Sequence, residues 1–299
     1  MKITFLGTSG SMPTQSRSSS SIAMNRKGEV ILLDCGEGTQ RRMVEAHIGF
    51  RRRMRIFVSH LHGDHILGLP GLLQTMTLLQ RERPLEIYGP EGLADFIDAF
   101  NKTLGRQKFT TTIHEILSGG IVFEDPEYRV HAVRADHDDP SWSYVLEEAP
   151  RPGRFHPERA LSLGIPEGPL WKRLQLGEDV ENSEGVLVRS EEVVDPPIRG
   201  LKVAYSGDTR PSEAFMAASK GADIMIHEAT FDSSLLEKAE ENGHSTAAQA
   251  AHIARSADVG LLILTHISSR YPDPTILLEE ALEIFPNTKI AQDLMELHV

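Results

Sequence analysis

The sequence has a single cysteine, Cys35, in 299 residues. No internal disulfide can form, and a site for several metal ions has to be built from histidine and carboxylate, which favours hard or borderline metals. Long hydrophobic runs are also missing. The first apolar stretch stops at Gly7, and nowhere do about 18 consecutive apolar residues occur, so a membrane span is excluded and a cytoplasmic location is the expectation. Positive charge is in deficit: the formal net charge is −12, which argues against a nucleic-acid binder that uses its whole surface. Internal repeats and low-complexity tracts are absent as well.

What is present matches an ordinary globular chain, with 40% hydrophobic and 25% charged residues. Short runs rich in Ile and Val predict strands at Lys2 to Leu6, Val30 to Leu33, Arg55 to Val58, Leu85 to Tyr88, Arg129 to Val133, Leu201 to Tyr205, Asp223 to Ile226 and Gly260 to Leu264. Apolar spacings of three and four predict helices at Leu72 to Leu79, Gly92 to Asn101, Thr246 to Ala257 and Thr275 to Phe285. The fold class is therefore α/β. From about 150 to 197 the density of Pro and Gly rises and apolar periodicity weakens, which suggests an inserted arm. Arg41, Arg42, Arg51, Arg52, Arg53 and Arg55 form a local basic cluster, for which a solvated face is as good a reading as a binding surface.

Several predicted strands run directly into polar residues of the kind that bind metals, and strand ends are where α/β proteins assemble sites. Ser59-His60-Leu61-His62-Gly63-Asp64-His65 is the richest of these. Three histidines and an aspartate lie within six positions, a density that folding alone does not require. A tight loop can aim His60 and His62 to one side and Asp64 and His65 to the other, giving two clusters suited to zinc or similar ions. Two such ions at about 3.5–4 Å clamp a phosphoryl centre.

This segment resembles the H-x-H-x-D-H signature of the metallo-β-lactamase superfamily, which implies a four-layer αββα sandwich, here with an inserted flexible arm. The resemblance also implies a later histidine, aspartate and histidine, each after a strand, and His137, Asp208 and His266 occur in that order. Carried over, it assigns His60, His62 and His137 to one metal, Asp64, His65 and His266 to the other, and Asp208 as the bridge. The expected cofactor is two Zn²⁺ per subunit, with manganese or iron compatible.

Other segments narrow the likeness. Phe5-Leu6-Gly7-Thr8-Ser9-Gly10, Asp34 through Gln40, His227-Glu228-Ala229-Thr230 and His244-Ser245-Thr246 resemble the ribonuclease Z family, as does Gly164-Ile165-Pro166-Glu167-Gly168-Pro169 in the arm, similar to that family's tRNA-binding exosite. Together they span nearly the whole chain. The resemblance implies a single domain over residues 1–299 that hydrolyses the phosphodiester 3′ of the discriminator in precursor tRNA. Asp64 would accept a proton from water, and His244, oriented by Glu228, would act on the leaving 3′-oxygen. A homodimer is implied, with the arm of one subunit gripping tRNA that the other cuts. Gln15 and Ser18 depart from the family's usual Lys and Asn in a loop linked to CCA sensing, and Ser143 stands where glycine is usual. A general metal phosphodiesterase for small diesters or cyclic nucleotides, and a non-catalytic RNA-binding module, are the alternatives.

Overall fold

Strands buried on both faces carry unbroken apolar runs, and strands open on one face alternate. The computed structural model describes residues 1–299. In chain order its main strands are β1 (Lys2–Gly7), β2 (Ser21–Arg26), β3 (Glu29–Leu33), β4 (Met54–Phe57), β5 (Leu85–Pro90) and β6 (Thr111–Ile116). There follow β7 (Gly120–Glu124), β8 (Tyr128–Arg134), β9 (Trp142–Glu148), β10 (Lys202–Tyr205), β11 (Ile224–Glu228), β12 (Leu261–Thr265), β13 (Thr288–Ile290) and β14 (Glu296–His298). They form two seven-stranded sheets, ordered β14-β1-β2-β3-β4-β5-β6 and β13-β12-β11-β10-β9-β8-β7.

Each sheet contains a parallel run of four strands, β3 to β6 in one and β10 to β13 in the other. Side-chain alternation on β3 shows how both faces are filled. Val30 and Leu32 pack toward helices Thr39–Glu45, Gly68–Leu78 and Leu93–Leu104 through Met43, Leu72 and Ile97. Ile31 and Leu33 instead line the inner space with Phe57, Tyr144, Val203 and Tyr205. Helices Glu213–Ala218, Ala247–Ser256 and Thr275–Ile284 cover the outer face of the second sheet through Phe215, Ala250, Ala254 and Leu277. The layers are thus helix, sheet, sheet, helix, the four-layer αββα sandwich that the metallo-β-lactamase resemblance implies.

Residues 125–129 and 147–201 form a second compact unit. Its stem is closed by Glu148 N–H donating to Leu201 O at 2.8 Å and by reciprocal 2.9 Å bonds between Arg151 and Ile198. The weak periodicity of this stretch has a plain cause, since its helices Pro157–Ser162 and Pro169–Gln175 are short and contribute few side chains each. They still enclose a small core of Ala160, Ile165, Leu174, Val180, Val188 and Val193. Trp171 belongs to that packing: its Nε1 donates to Ile165 O at 3.0 Å and its ring lies 5.2 Å from Phe155.

Candidate metal centre

Parallel strands end side by side, so residues just past the ends of β4, β10, β11 and β12 are brought together across the sandwich. His60 follows β4, Asp208 follows β10, Glu228 closes β11 and His266 follows β12. The predicted loop after β4 is only partly a loop: Gly63–Ile66 closes into a helical turn that carries Asp64 and His65, and the His65 ring packs 4.1 Å from that of His60. His60, His65, Asp208, Glu228 and His266 are all nearly or fully buried.

Ligand-type atoms cluster in four overlapping sets of three, of which two repeat the predicted division and the others join His60, His65 and Asp208, and Asp208, His244 and His266. His60, His62 and His137 converge, as do Asp64, His65 and His266, with the ligand atoms of each group within 4.8 Å of one another. Asp208 lies between the groups, its Oδ2 at 3.7 Å from His60 Nε2, 3.4 Å from His65 Nε2 and 3.3 Å from His266 Nε2. All seven predicted ligands therefore meet in one place.

Which imidazole nitrogen faces the centre follows from what holds the other one. His60 Nδ1 lies 3.0 Å from Ser59 Oγ, and His137 Nδ1 donates to Gly243 O at 2.9 Å. His65 Nδ1 donates to Asp34 at 2.8 Å, and His266 Nδ1 to Thr230 Oγ1 at 2.9 Å. These four present Nε2 inward. His62 is reversed, because its Nε2 donates to Asp139 Oδ2 at 2.8 Å and leaves Nδ1 free. The buried atoms His60 Nε2, His137 Nε2 and Asp208 Oδ1 have no protein partner. Leaving buried polar atoms unpaired is costly, and an inward-facing set of imidazole lone pairs and carboxylates fits divalent cations.

Charge coupling within the cluster is strong: burial disfavours the charged form of His65, but Asp208, Asp34 and Asp64 outweigh it and raise its pKa well above the usual histidine value. Burial, reinforced by the neighbouring His65, holds His60 well below the usual histidine pKa, so its ring is a neutral donor. At Asp208, burial favours the neutral acid, but His266 and His65 outweigh it and keep the carboxyl well below the usual range. Asp64 is likewise lowered against its burial by His65 and His266, and its Oδ2 accepts from Ser11 N–H at 2.8 Å.

A second pair flanks the cluster. His244 Nδ1 donates to Glu228 Oε1 at 3.0 Å. Burial opposes the imidazolium, but Glu228 outweighs it and raises the His244 pKa to about 9. Glu228 is also held by Thr209 N–H at 2.8 Å and the Thr230 hydroxyl at 2.6 Å. Gly243, just before His244, lets the His137 ring approach the backbone: it sits at φ +75°, and a Cβ there would fall 2.4 Å from His137 Nδ1.

The sequence assigns no role to Asp34, Thr230 or Asp139, which hold His65, His266 and His62 of the cluster. Asp34 accepts at Oδ2 from Tyr205 OH at 2.6 Å and Ser59 Oγ at 2.9 Å, besides His65. Its place at φ +58° just after a strand was a usable signal, but only once backbone angles are known. Cys35 next to it is fully buried and burial pushes its thiol up to about 12, which makes it inert.

The basic cluster is resolved differently from its sequence neighbourhood. Arg42 pairs with Glu45 and with Asp293 at 3.0 Å, and Arg55 is buried against Glu29 and Glu86. Arg51 to Arg53 precede β4, whereas His60 lies past its far end. At about 3.3 Å per residue the strand keeps these arginines away from His60 and the residues clustered with it. Nearness in sequence to the histidine motif gives them no place beside the histidine–carboxylate cluster.

Comparison with known proteins supplies the context. A family model described as "Anti-Pycsar protein Apyc1" matches residues 1–136, and one described as "Beta-lactamase superfamily domain" matches residues 192–267. The chain is 48% identical over 301 residues to a ribonuclease Z of Methanosarcina acetivorans, covering 100% of this chain and 98% of that protein. It is 41% identical over 310 residues to a ribonuclease Z of Synechocystis sp., covering 100% and 94%. Among solved structures, the short form of human tRNase Z superposes with a TM-score of 0.72 at 29% identity, covering 100% of this chain and 99% of that one.

Proposed function

The chain belongs to the ribonuclease Z family, and on that premise we propose that the seven converging side chains hold two zinc ions and that Asp64, His244 and Glu228 carry out the proton transfers. The enzyme is a metal-dependent endoribonuclease that removes the 3′ trailer from precursor tRNA, leaving a 3′-hydroxyl tRNA and a 5′-phosphorylated trailer. The observation that carries the assignment is the placement of Asp208 between two three-residue groups, with the His244–Glu228 pair beside them.

His60, His62 and His137 would hold one ion, Asp64, His65 and His266 the other, and Asp208 both. Bound there, the ions supply positive charge that stabilises the phosphoryl oxygens and brings the pKa of water toward neutrality. Asp64 accepts a proton from the attacking water, and the Ser11 N–H fixes the orientation of its carboxylate. His244, with Nδ1 committed to Glu228, offers Nε2 to the departing 3′-oxygen of the discriminator nucleotide. A pKa of about 9 keeps that imidazole protonated at neutral pH, the form a general acid requires.

We further read the chain as one metallo-β-lactamase domain with an arm at about 150–197 that binds tRNA, working as a cytoplasmic homodimer. No helix is long and apolar enough to cross a membrane. Light scattering should return twice the 33.2 kDa chain mass, and a monomer would count against the dimer. The direct test incubates 5′-labelled precursor tRNA and a small phosphodiester with protein before and after chelation and zinc restoration. The expected result is a metal-dependent single cut at the discriminator, two zinc ions per chain by elemental analysis, and no cut by Asp64→Ala. Hydrolysis of the small diester alone would replace this reading with a general phosphodiesterase.

A further inference from the structure

Beside the His62 edge of the centre lies a cavity of about 230 Å³, lined by Leu61, His62, Pro90, Glu91, Asp139 and Pro140. We propose that this cavity is a nucleobase subsite, which takes the base of a nucleotide adjoining the scissile phosphate and favours bases with an exocyclic amino group. The inference rests on the tRNA-processing reading above and adds a specificity that nothing in that reading requires.

Size is the first argument. Pockets for drug-sized ligands measure about 300–1,000 Å³, so this one suits a single flat ring system. Position is the second. His62 is one of the residues that would hold a metal, so a substrate whose phosphate is bound at the centre has its neighbouring nucleotide within reach of the cavity. The lining is the third. Leu61, Pro90 and Pro140 supply aliphatic surface for a planar face, while Glu91 and Asp139 supply carboxylate oxygens at the edge.

No lysine or arginine lines the cavity, so a phosphate has no cation to meet there and would face two like charges. The fitting occupant is neutral and rich in donors. Adenine, guanine and cytosine each present an amino group; uracil presents carbonyl oxygens on both sides of its single ring N–H that would face the carboxylates. Asp139 already accepts from His62 Nε2 through Oδ2, which leaves its other oxygen and Glu91 for the base. Glu91 stands in the Pro90-Glu91-Gly92 turn between β5 and the helix Leu93–Leu104 and is exposed. It makes no contact with a ligand residue, so changing it tests the cavity without disturbing the metal centre.

The experiment measures kcat/KM on precursor tRNAs carrying each of the four bases at the discriminator and, separately, at the first trailer nucleotide. Wild-type enzyme should cut uridine precursors about three- to tenfold less efficiently at one of these two positions, the range expected for loss of one hydrogen bond. The position that shows it identifies which base is bound. Glu91→Ala should narrow the gap from both sides, lowering the amino-bearing bases by loss of an acceptor and raising the uridine value by loss of a carboxylate that faces its carbonyls, and Glu91→Gln, which keeps one acceptor, should fall between. Equal efficiency for all four bases at both positions, or a Glu91→Ala loss equal for every base, would overturn the subsite while the processing activity stands. Failure of the zinc-loaded wild type to cut any precursor would overturn the underlying reading as well.

Discussion

At the scale of single residues, His244 and Glu228 give the sharpest expectations. The protonated imidazole is the working form, so kcat should fall as pH rises through about 9. Glu228→Gln removes the charge that raises this pKa, so the alkaline limb should move to lower pH. His244→Ala should lower kcat by about 10²–10⁴-fold; near-full activity would rule out its acid role. Asp34→Asn tests a residue that meets no metal itself. Its carboxylate sets the tautomer of His65, and its loss should weaken metal affinity by about 10–100-fold, measurable by chelator competition. The difference in legibility between these residues is instructive. His60 to His65 stand within six positions and announce themselves, whereas Asp34 reaches His65 across 31 positions and Asp139 reaches His62 across 77. Contacts of that kind exist only after the sheets have placed both partners, so no local pattern encodes them.

At the scale of elements, apolar runs that fill both faces of a central strand are readable, and β3, β4, β5, β10, β11 and β12 all lie where Ile and Val cluster. Strand β2, reading Ser21-Ile22-Ala23-Met24-Asn25-Arg26, is buried yet half polar, and its place between β1 and β3 is decided by pairing rather than composition. The edge strands β6 and β7 expose much of their surface and so carry little hydrophobic signal. Helix Ala247–Ser256 was legible from its apolar spacing of three and four, and the structure adds what fixes its start. Thr246 Oγ1 accepts from Gln249 N–H at 3.2 Å while Gln249 Oε1 accepts from Thr246 N–H at 2.9 Å, a capping box two residues after His244. Thr246→Ala should cost about 1 kcal/mol of stability, visible as a lowered Tm by calorimetry.

At the scale of the whole molecule, a net charge of −12 has to be reconciled with a polyanionic substrate. Part of the basic cluster is spent on internal ion pairs, so grip on tRNA falls to other surfaces, and the second unit, with its own small core, is the proposed one. Replacing residues 152–197 by a short linker across the Arg151–Ile198 stem should raise KM for precursor tRNA strongly. Hydrolysis of a small activated diester should be retained. Equal loss of both activities would show that the unit supports the fold rather than the substrate.

The pairing of β14 with β1, Lys2 beside His298, also bears on how the protein comes into being. While the ribosome is still working through the second half of the message, the first sheet has an open edge at β1, and the centre still awaits His266. Completing them requires residues 296–298 and residue 266 respectively. A fragment that stops before residue 266 cannot bring the seven clustered side chains together, and one that stops before residue 296 leaves the β1 edge unpaired.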